Sequence, residues 1–306
     1  MQNLIFALSL VVPVFLIVVL GYILKRIGII NENFITVSSK LVFNISLPAL
    51  IFFEISAIDV SEILNIGQIT FIYAGTLISF GLAWLIAEYI SKSGKDKASF
   101  IQGSFRGNFA IVGLAIVVNY YGVENLGKAS LVLAFTIPLY NILSVIALTV
   151  PLRKESQLNY ISALLEIARN PLIIAVLAAL PFSYLRIRIP DVIHTTGNYL
   201  SALTLPLALI GIGGFLSFRG ITKSSSLTIV STSLKLIILP ALATFAAYLF
   251  GFNGMDLGII FILFACPTAI ASFIMAEAMG ANSKLAANIL LLTTLASVVT
   301  MTLGLF

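Results

Sequence analysis

Charge is what this chain has least of. Only 9% of its 306 residues are Asp, Glu, Lys or Arg, too few to give a soluble domain of that length a solvated surface. Cysteine occurs once, as Cys266, which excludes an intramolecular disulfide and leaves the redox compartment open. Histidine also occurs once, as His194 beside Thr195 and Thr196, and reads as an exposed loop residue rather than a pH sensor. No cluster of His, Cys, Asp and Glu stands at metal-ligand spacing, no glycine-rich loop is placed to cradle phosphate, and no nucleophile is set beside a base. An intramembrane enzyme would have no visible catalytic set here, and no cofactor is expected.

Apolar side chains fill the space that charge leaves. They make up 60% of the sequence, with a mean hydropathy of +1.12, so the solvent must be a lipid bilayer. A spanning helix needs roughly 20 apolar residues. Ten candidates lie at about 3–24, 34–56, 68–90, 99–118, 126–150, 159–185, 191–216, 225–250, 257–279 and 284–305, with connections too short for a soluble domain. The first runs into Lys25-Arg26 rather than a small-residue cleavage site and is expected to be a retained span, not a signal peptide.

The net charge of +5 does not point to nucleic acid, because the cations sort by membrane side. Alternate loops put Lys25, Arg26, Lys92, Lys95, Lys97, Arg153, Lys154, Arg219, Lys223 and Lys284 on one side, against Lys128, Arg186 and Arg188 on the other. The first side is expected to be cytoplasmic, with both termini outside, in the cell's inner (plasma) membrane.

One register aligns the two halves of the chain. Pro13 and Pro171, Pro48 and Pro206, and Gly122 and Gly280 are all 158 residues apart. Ile45-Ser46-Leu47-Pro48 echoes Leu203-Thr204-Leu205-Pro206. Five helices per half is an odd number, so the second half enters the membrane from the opposite face. The expected fold is an all-α membrane protein of ten transmembrane helices in a 5+5 inverted repeat, residues 1–157 and 158–306.

Two segments are expected to break, at corresponding positions. Segment nine carries Cys266-Pro267-Thr268-Ala269-Ile270-Ala271-Ser272 mid-span, and segment four carries Arg106-Gly107-Asn108, with Gly113 beyond. A proline or an unwound turn in lipid is tolerated where protein or a cavity satisfies the freed backbone groups. Each break would create a half-helix N-terminus worth about half a positive charge, and two such ends attract a carboxylate. Asn108, Thr268 and Ser272 could orient it. The alternative is a pair of kinked, continuous helices with Gly107 and Gly113 serving close packing.

Charges at membrane depth are candidates by default. Lys235 lies deepest and could balance an anion, pair with Glu54, or snorkel to an interface. Arg106 adjoins the proposed break as either a point charge for an anion or an interface anchor. Residues 161–169 form an amphipathic stretch that could lie on the membrane surface before Pro171.

Asn44-Ile45-Ser46-Leu47-Pro48-Ala49-Leu50, Ser104-Phe105-Arg106-Gly107-Asn108 through Gly113-Leu114-Ala115, and Pro267-Thr268-Ala269 through Ser272-Phe273 to Met279-Gly280 resemble the auxin efflux carrier family. That group also holds bacterial malate and malonate permeases. The resemblance implies the fold of bile-acid and sodium–proton transporters, with helices one, two, six and seven as scaffold. Helices three to five and eight to ten would form a mobile transport domain, and the broken helices four and nine would cross there. It further implies that Asn108 contacts a substrate carboxylate, that Pro267 marks the second break, and that the scaffold dimerises, for which Gly211-Ile212-Gly213-Gly214 would permit close contact.

The chain departs from the family pattern at Ala115, where a proline is common, so unwinding of segment four would depend on Gly107, Asn108 and Gly113. The connection at 150–158 is short, as in the bacterial branch. The expected function is secondary active transport of a small organic anion by an elevator-like movement. A sodium-coupled bile-acid-type symporter, a channel and a receptor of the same fold are the alternatives, and proton or sodium coupling stays open.

Overall fold

The computed structural model describes residues 2–57, 65–152, 171–215 and 226–305. Among these residues it is helical throughout, with no strand beyond one bridged pair, Gly107 and Thr268. The helices are α1 (Gln2–Arg26), α2 (Glu32–Ser56), α3 (Ile66–Ile90), α4 (Gly94–Phe105), α5 (Phe109–Tyr121), α6 (Leu126–Thr149), α7 (Pro171–Tyr184), α8 (Asp191–Phe215), α9 (Ser226–Leu249), α10 (Gly254–Ala265), α11 (Ile270–Ala278) and α12 (Ser283–Leu305). Six of the described helices are long and apolar enough to cross a membrane: α2, α3, α6 with its preceding turn, α8, α9 and α12. The surface stretch 161–169, most of the connection at 150–158, and Arg219 and Lys223 lie outside the described residues.

Polar residues set where helices start. The side chains of Asn31, Asn65 and Ser93 accept hydrogen bonds from the backbone N–H of Phe34, Gln68 and Asp96 and so cap α2, α3 and α4. The Ser93 cap explains why α4 begins at Gly94, five residues before the apolar run that marks it in the sequence. Gly122 and Gly280 follow α5 and α11 with φ of +86° and +77°, a backbone region that side chains disfavour. The repeated glycine thus performs the same task twice.

The prolines act differently from one another. Pro48 in α2 and Pro240 in α9 each follow a wide turn, Val42–Ser46 and Leu234–Ile238, in which the last N–H reaches back five residues. Missing one helical donor, the chain takes up the slack in that turn.

The starts and ends of two helices recur 160 positions apart, two more than the 158 that separates the prolines and Gly122 from Gly280. Helices α4 and α10 are each 12 residues long and begin at Gly94 and Gly254. Asp96 and Asp256, likewise 160 positions apart, both staple the start of their helix to another. Asn282, ahead of α12, donates to Asp96 at 2.6 Å, and Lys128 of α6 pairs with Asp256 at 2.7 Å. Asn65 also donates to Asp256 at 3.0 Å, and Gln68 to its backbone carbonyl at 3.0 Å, which ties α3 to the same end.

Packing joins α1 to the second half of α8, and α7 to the second half of α2. The α1–α8 contact brings backbones together: a β-carbon at Gly213 would stand 1.9 Å from Val18 O, and one at Gly21 would stand 2.2 Å from Ile210 O. Gly214 faces Ile35 of α2. The glycine run at 211–214 therefore serves contact within the chain. Elsewhere α3 lies on α4, the second half of α9 on α10, and α12 against α4, α9 and α11.

Candidate functional site

The helices separated by the two breaks meet back to back. Asn108 donates its N–H to Pro267 O at 2.8 Å, and Ala269 donates to Arg106 O at 3.2 Å, an antiparallel exchange centred on Gly107 and Thr268. Each broken strand thus takes the backbone partners that the other lost. The kinked-helix alternative is excluded: Arg106, with φ −84° and ψ 109°, and Cys266, with φ −53° and ψ 141°, are both extended. Ala115 is buried inside α5, and the break at Arg106–Asn108 forms without a proline there.

Pro267 has no N–H to give to Leu263, and Thr268 gives its own to Thr293 Oγ1 at 3.2 Å rather than to Phe264. The carbonyls that α10 loses in this way need other donors. Lys235 supplies one, donating from Nζ to Phe264 O at 2.7 Å while only 1% exposed. On the other helix, Gly103 O accepts the hydroxyl of Thr268 at 2.7 Å. Ser104 of α4 shares a 2.8 Å hydrogen bond with Ser231 of α9. The crossing is thereby anchored to α9 and α12 as well as to itself.

Side chains expected at a site separate into two groups here. Asn108 is 6% exposed, and its amide has no protein partner among the described residues. Ser272, in the first turn of α11 and 2% exposed, has an unpartnered hydroxyl. These two polar groups stand at the N-terminal ends of α5 and α11, where the first backbone N–H groups have no carbonyl in their own helix. Thr268, Cys266 and Pro267 instead build the crossing itself. Gly107 allows it, since a β-carbon there would stand 3.0 Å from Leu263 O and 3.1 Å from Lys235 Nζ. Gly113 lies a turn inside α5 under the ring of Phe109, with room for no side chain.

Arg106 turns inward rather than to a lipid interface. It donates to Ser144 Oγ at 3.0 Å, Asn141 Oδ1 at 3.0 Å and Met275 Sδ at 3.1 Å. No carboxylate neutralises it among the described residues, so a positive guanidinium stands beside the break, held by neutral groups of α6 and α11. Lys235 is not paired with Glu54, and it does not snorkel; its partner is the freed carbonyl of α10. Glu54 sits in the second half of α2, which packs on α6, α7 and α8. The described residues contain no group of three acidic, His or Cys side chains able to hold a metal.

Sequence reasoning missed Thr293, Gly103, Asn141 and Ser144. Nothing in the local pattern marks a threonine or serine in an apolar helix as a partner for a break 25 to 165 residues away.

Known proteins are similar to this chain along nearly its whole length. The chain is 24% identical to an uncharacterized transporter of Methanocaldococcus jannaschii, with 94% of each chain covered. It is 25% identical to an uncharacterized transporter of Methanothermobacter thermautotrophicus, over 96% of this chain and 95% of the other. A Rhizobium meliloti protein named "Putative malonate transporter" is 22% identical, over 96% and 93%. The family model described as "Membrane transport protein" matches residues 6–305. With broken helices that cross, apolar spans and that match from end to end, the chain belongs to this family of membrane transporters, the auxin efflux carrier family.

Proposed function

We propose that this protein is a secondary transporter of a small organic anion, bound at the N-terminal ends of α5 and α11. The observation that carries this reading is the pair of buried, unpartnered polar groups, the Asn108 amide and the Ser272 hydroxyl, at two half-helix ends opened by the crossing. Free N–H groups and aligned peptide dipoles at such ends favour a carboxylate. Arg106, which no carboxylate among the described residues neutralises, adds positive potential nearby. The name of the R. meliloti relative supports an organic acid as the substrate class.

Alternating access would come from an elevator-like movement. Helices α1, α2, α7 and α8 would be the scaffold, and α3 to α6 with α9 to α12 the transport domain. The packing of α1 on α8 and of α7 on α2 supports that division, as does the contact of the first turn of α5 with α8, where a substrate would lie between the two parts. The recurrence of Gly94 with Gly254, and of Asp96 with Asp256, supports ten spans in a 5+5 inverted repeat. On this reading the protein sits in the cell's inner membrane with both termini outside. A homodimer through the scaffold would have to use surfaces other than the 211–214 glycines.

The test is thermal stabilisation of the purified protein by malonate, malate, succinate, pyruvate, indole-acetate and taurocholate, in wild type and Asn108→Ala. A carboxylate that raises the melting temperature of the wild type and loses at least about tenfold in affinity in the variant supports the site. Unchanged affinity in a folded Asn108→Ala protein removes Asn108 from it. Counterflow in vesicles separates a carrier from a channel.

A further inference from the structure

Lys235 carries a full charge on a side chain that is only 1% exposed, and anion binding at the helix N-termini makes no use of it. Its surroundings are those of a cation site. Half-helix C-terminal ends and unwound carbonyls bind coupling cations in broken-helix transporters, because the end of the helix carries partial negative charge and its last oxygens have no N–H donors. Here Pro267 deprives Leu263 O of its donor, Thr293 diverts the N–H due to Phe264 O, and the Lys235 ammonium lies 2.7 Å from that oxygen.

The same ammonium stands against the other break. A β-carbon added to Gly107 would come within 3.1 Å of Nζ and 3.0 Å of Leu263 O. Lys235 itself lies within the wide turn Leu234–Ile238 of α9, one side of which faces α10 and α12. Among the described residues no carboxylate pairs with it, so the charge is balanced by helix ends and not by an acid.

We propose that Lys235 fills, as a tethered ammonium, the place that a free monovalent cation would take between the broken helices, and that anion binding and transport by this chain therefore need no sodium. A second cation would meet like-charge repulsion at the same carbonyls, and Phe264 O already has a donor. The inference rests on the crossing being the transport site, but its cation arms are read without any anion.

The experiment measures melting temperature of the full chain in lipid nanodiscs in sodium, potassium or choline chloride, and anion affinity in the same salts. The wild type should melt within about 1 °C across the salts, and any carboxylate that binds should do so within about twofold in sodium and in choline. Lys235→Ala should melt lower by several degrees and be raised again by sodium or methylammonium but not by choline, because the vacated space admits a small cation. Lys235→Met, which fills the space with an apolar chain, should melt lower and not be rescued.

A wild type that gains stability or anion affinity from sodium overturns the proposal, as does a folded Lys235→Ala protein blind to small cations. Where Lys235→Ala does not fold, the wild-type salt comparison and Lys235→Met decide. Rescue of Lys235→Ala with no carboxylate binding to the wild type would leave the cation site standing and refute the anion reading alone.

Discussion

Thr268→Val tests whether the crossing is held by a specific exchange of donors or by apolar packing alone. The side chain is 1% exposed, and its hydroxyl donates at 2.7 Å to Gly103 O, a carbonyl at the unwound end of α4. Valine has nearly the same shape, so the substitution removes the donor and leaves the cavity filled. A buried carbonyl left without its partner costs about 1–3 kcal/mol. At about 2–4 °C per kcal/mol for a chain of this order of size, the melting midpoint should fall by about 2–12 °C. Thr268→Ser keeps the hydroxyl and loses a methyl, which costs roughly 1 kcal/mol of burial. Differential scanning fluorimetry on both variants in the same nanodiscs separates the two contributions. If Thr268→Val is as stable as Thr268→Ser or more so, the hydroxyl does not hold the crossing.

Asp256→Ala should destabilise by about 1–3 kcal/mol, since it removes both the Lys128 ion pair and the Asn65 hydrogen bond, whereas Lys128→Ala removes only the partly exposed pair and should cost about 1 kcal/mol or less. Thermal unfolding of the two variants at low and high salt checks the order and shows whether the Lys128 contribution is screened. Gly213→Ala should abolish a folded yield, because its β-carbon would meet the Val18 backbone oxygen at 1.9 Å, while Gly214→Ala meets the movable tip of Ile35 at 2.5 Å and should be tolerated better. Size-exclusion profiles of the two proteins distinguish these outcomes, and equal behaviour would mean that α1 and α8 do not depend on backbone contact.

Much of the fold was legible because lipid leaves few options. A proline within an apolar run must either open a helix or find a donor for an orphaned carbonyl, so Pro267 announced its break. Gly107 and Asn108 announced the other despite Ala115. The glycines Gly122 and Gly280 were legible only as a repeated pair; the structure shows that they follow helix ends, where a residue without a β-carbon takes their φ at no strain. The pairing of Lys235 was not legible: its partner is a backbone carbonyl, which every residue has and no sequence distinguishes. For the same reason Thr268, expected beside a ligand, proved to donate to Gly103 O.

By itself, then, the sequence determined the solvent, the two breaking points and the family, since hydropathy, proline and glycine act through the local chain. Only the tertiary structure decided which groups the breaks left free. The choice between Asn108 and Ser272 as open donors and Thr268, Cys266 and Pro267 as structural members depends on carbonyls up to 165 residues away, brought within hydrogen-bond reach when the two broken helices pack against each other and against α9 and α12.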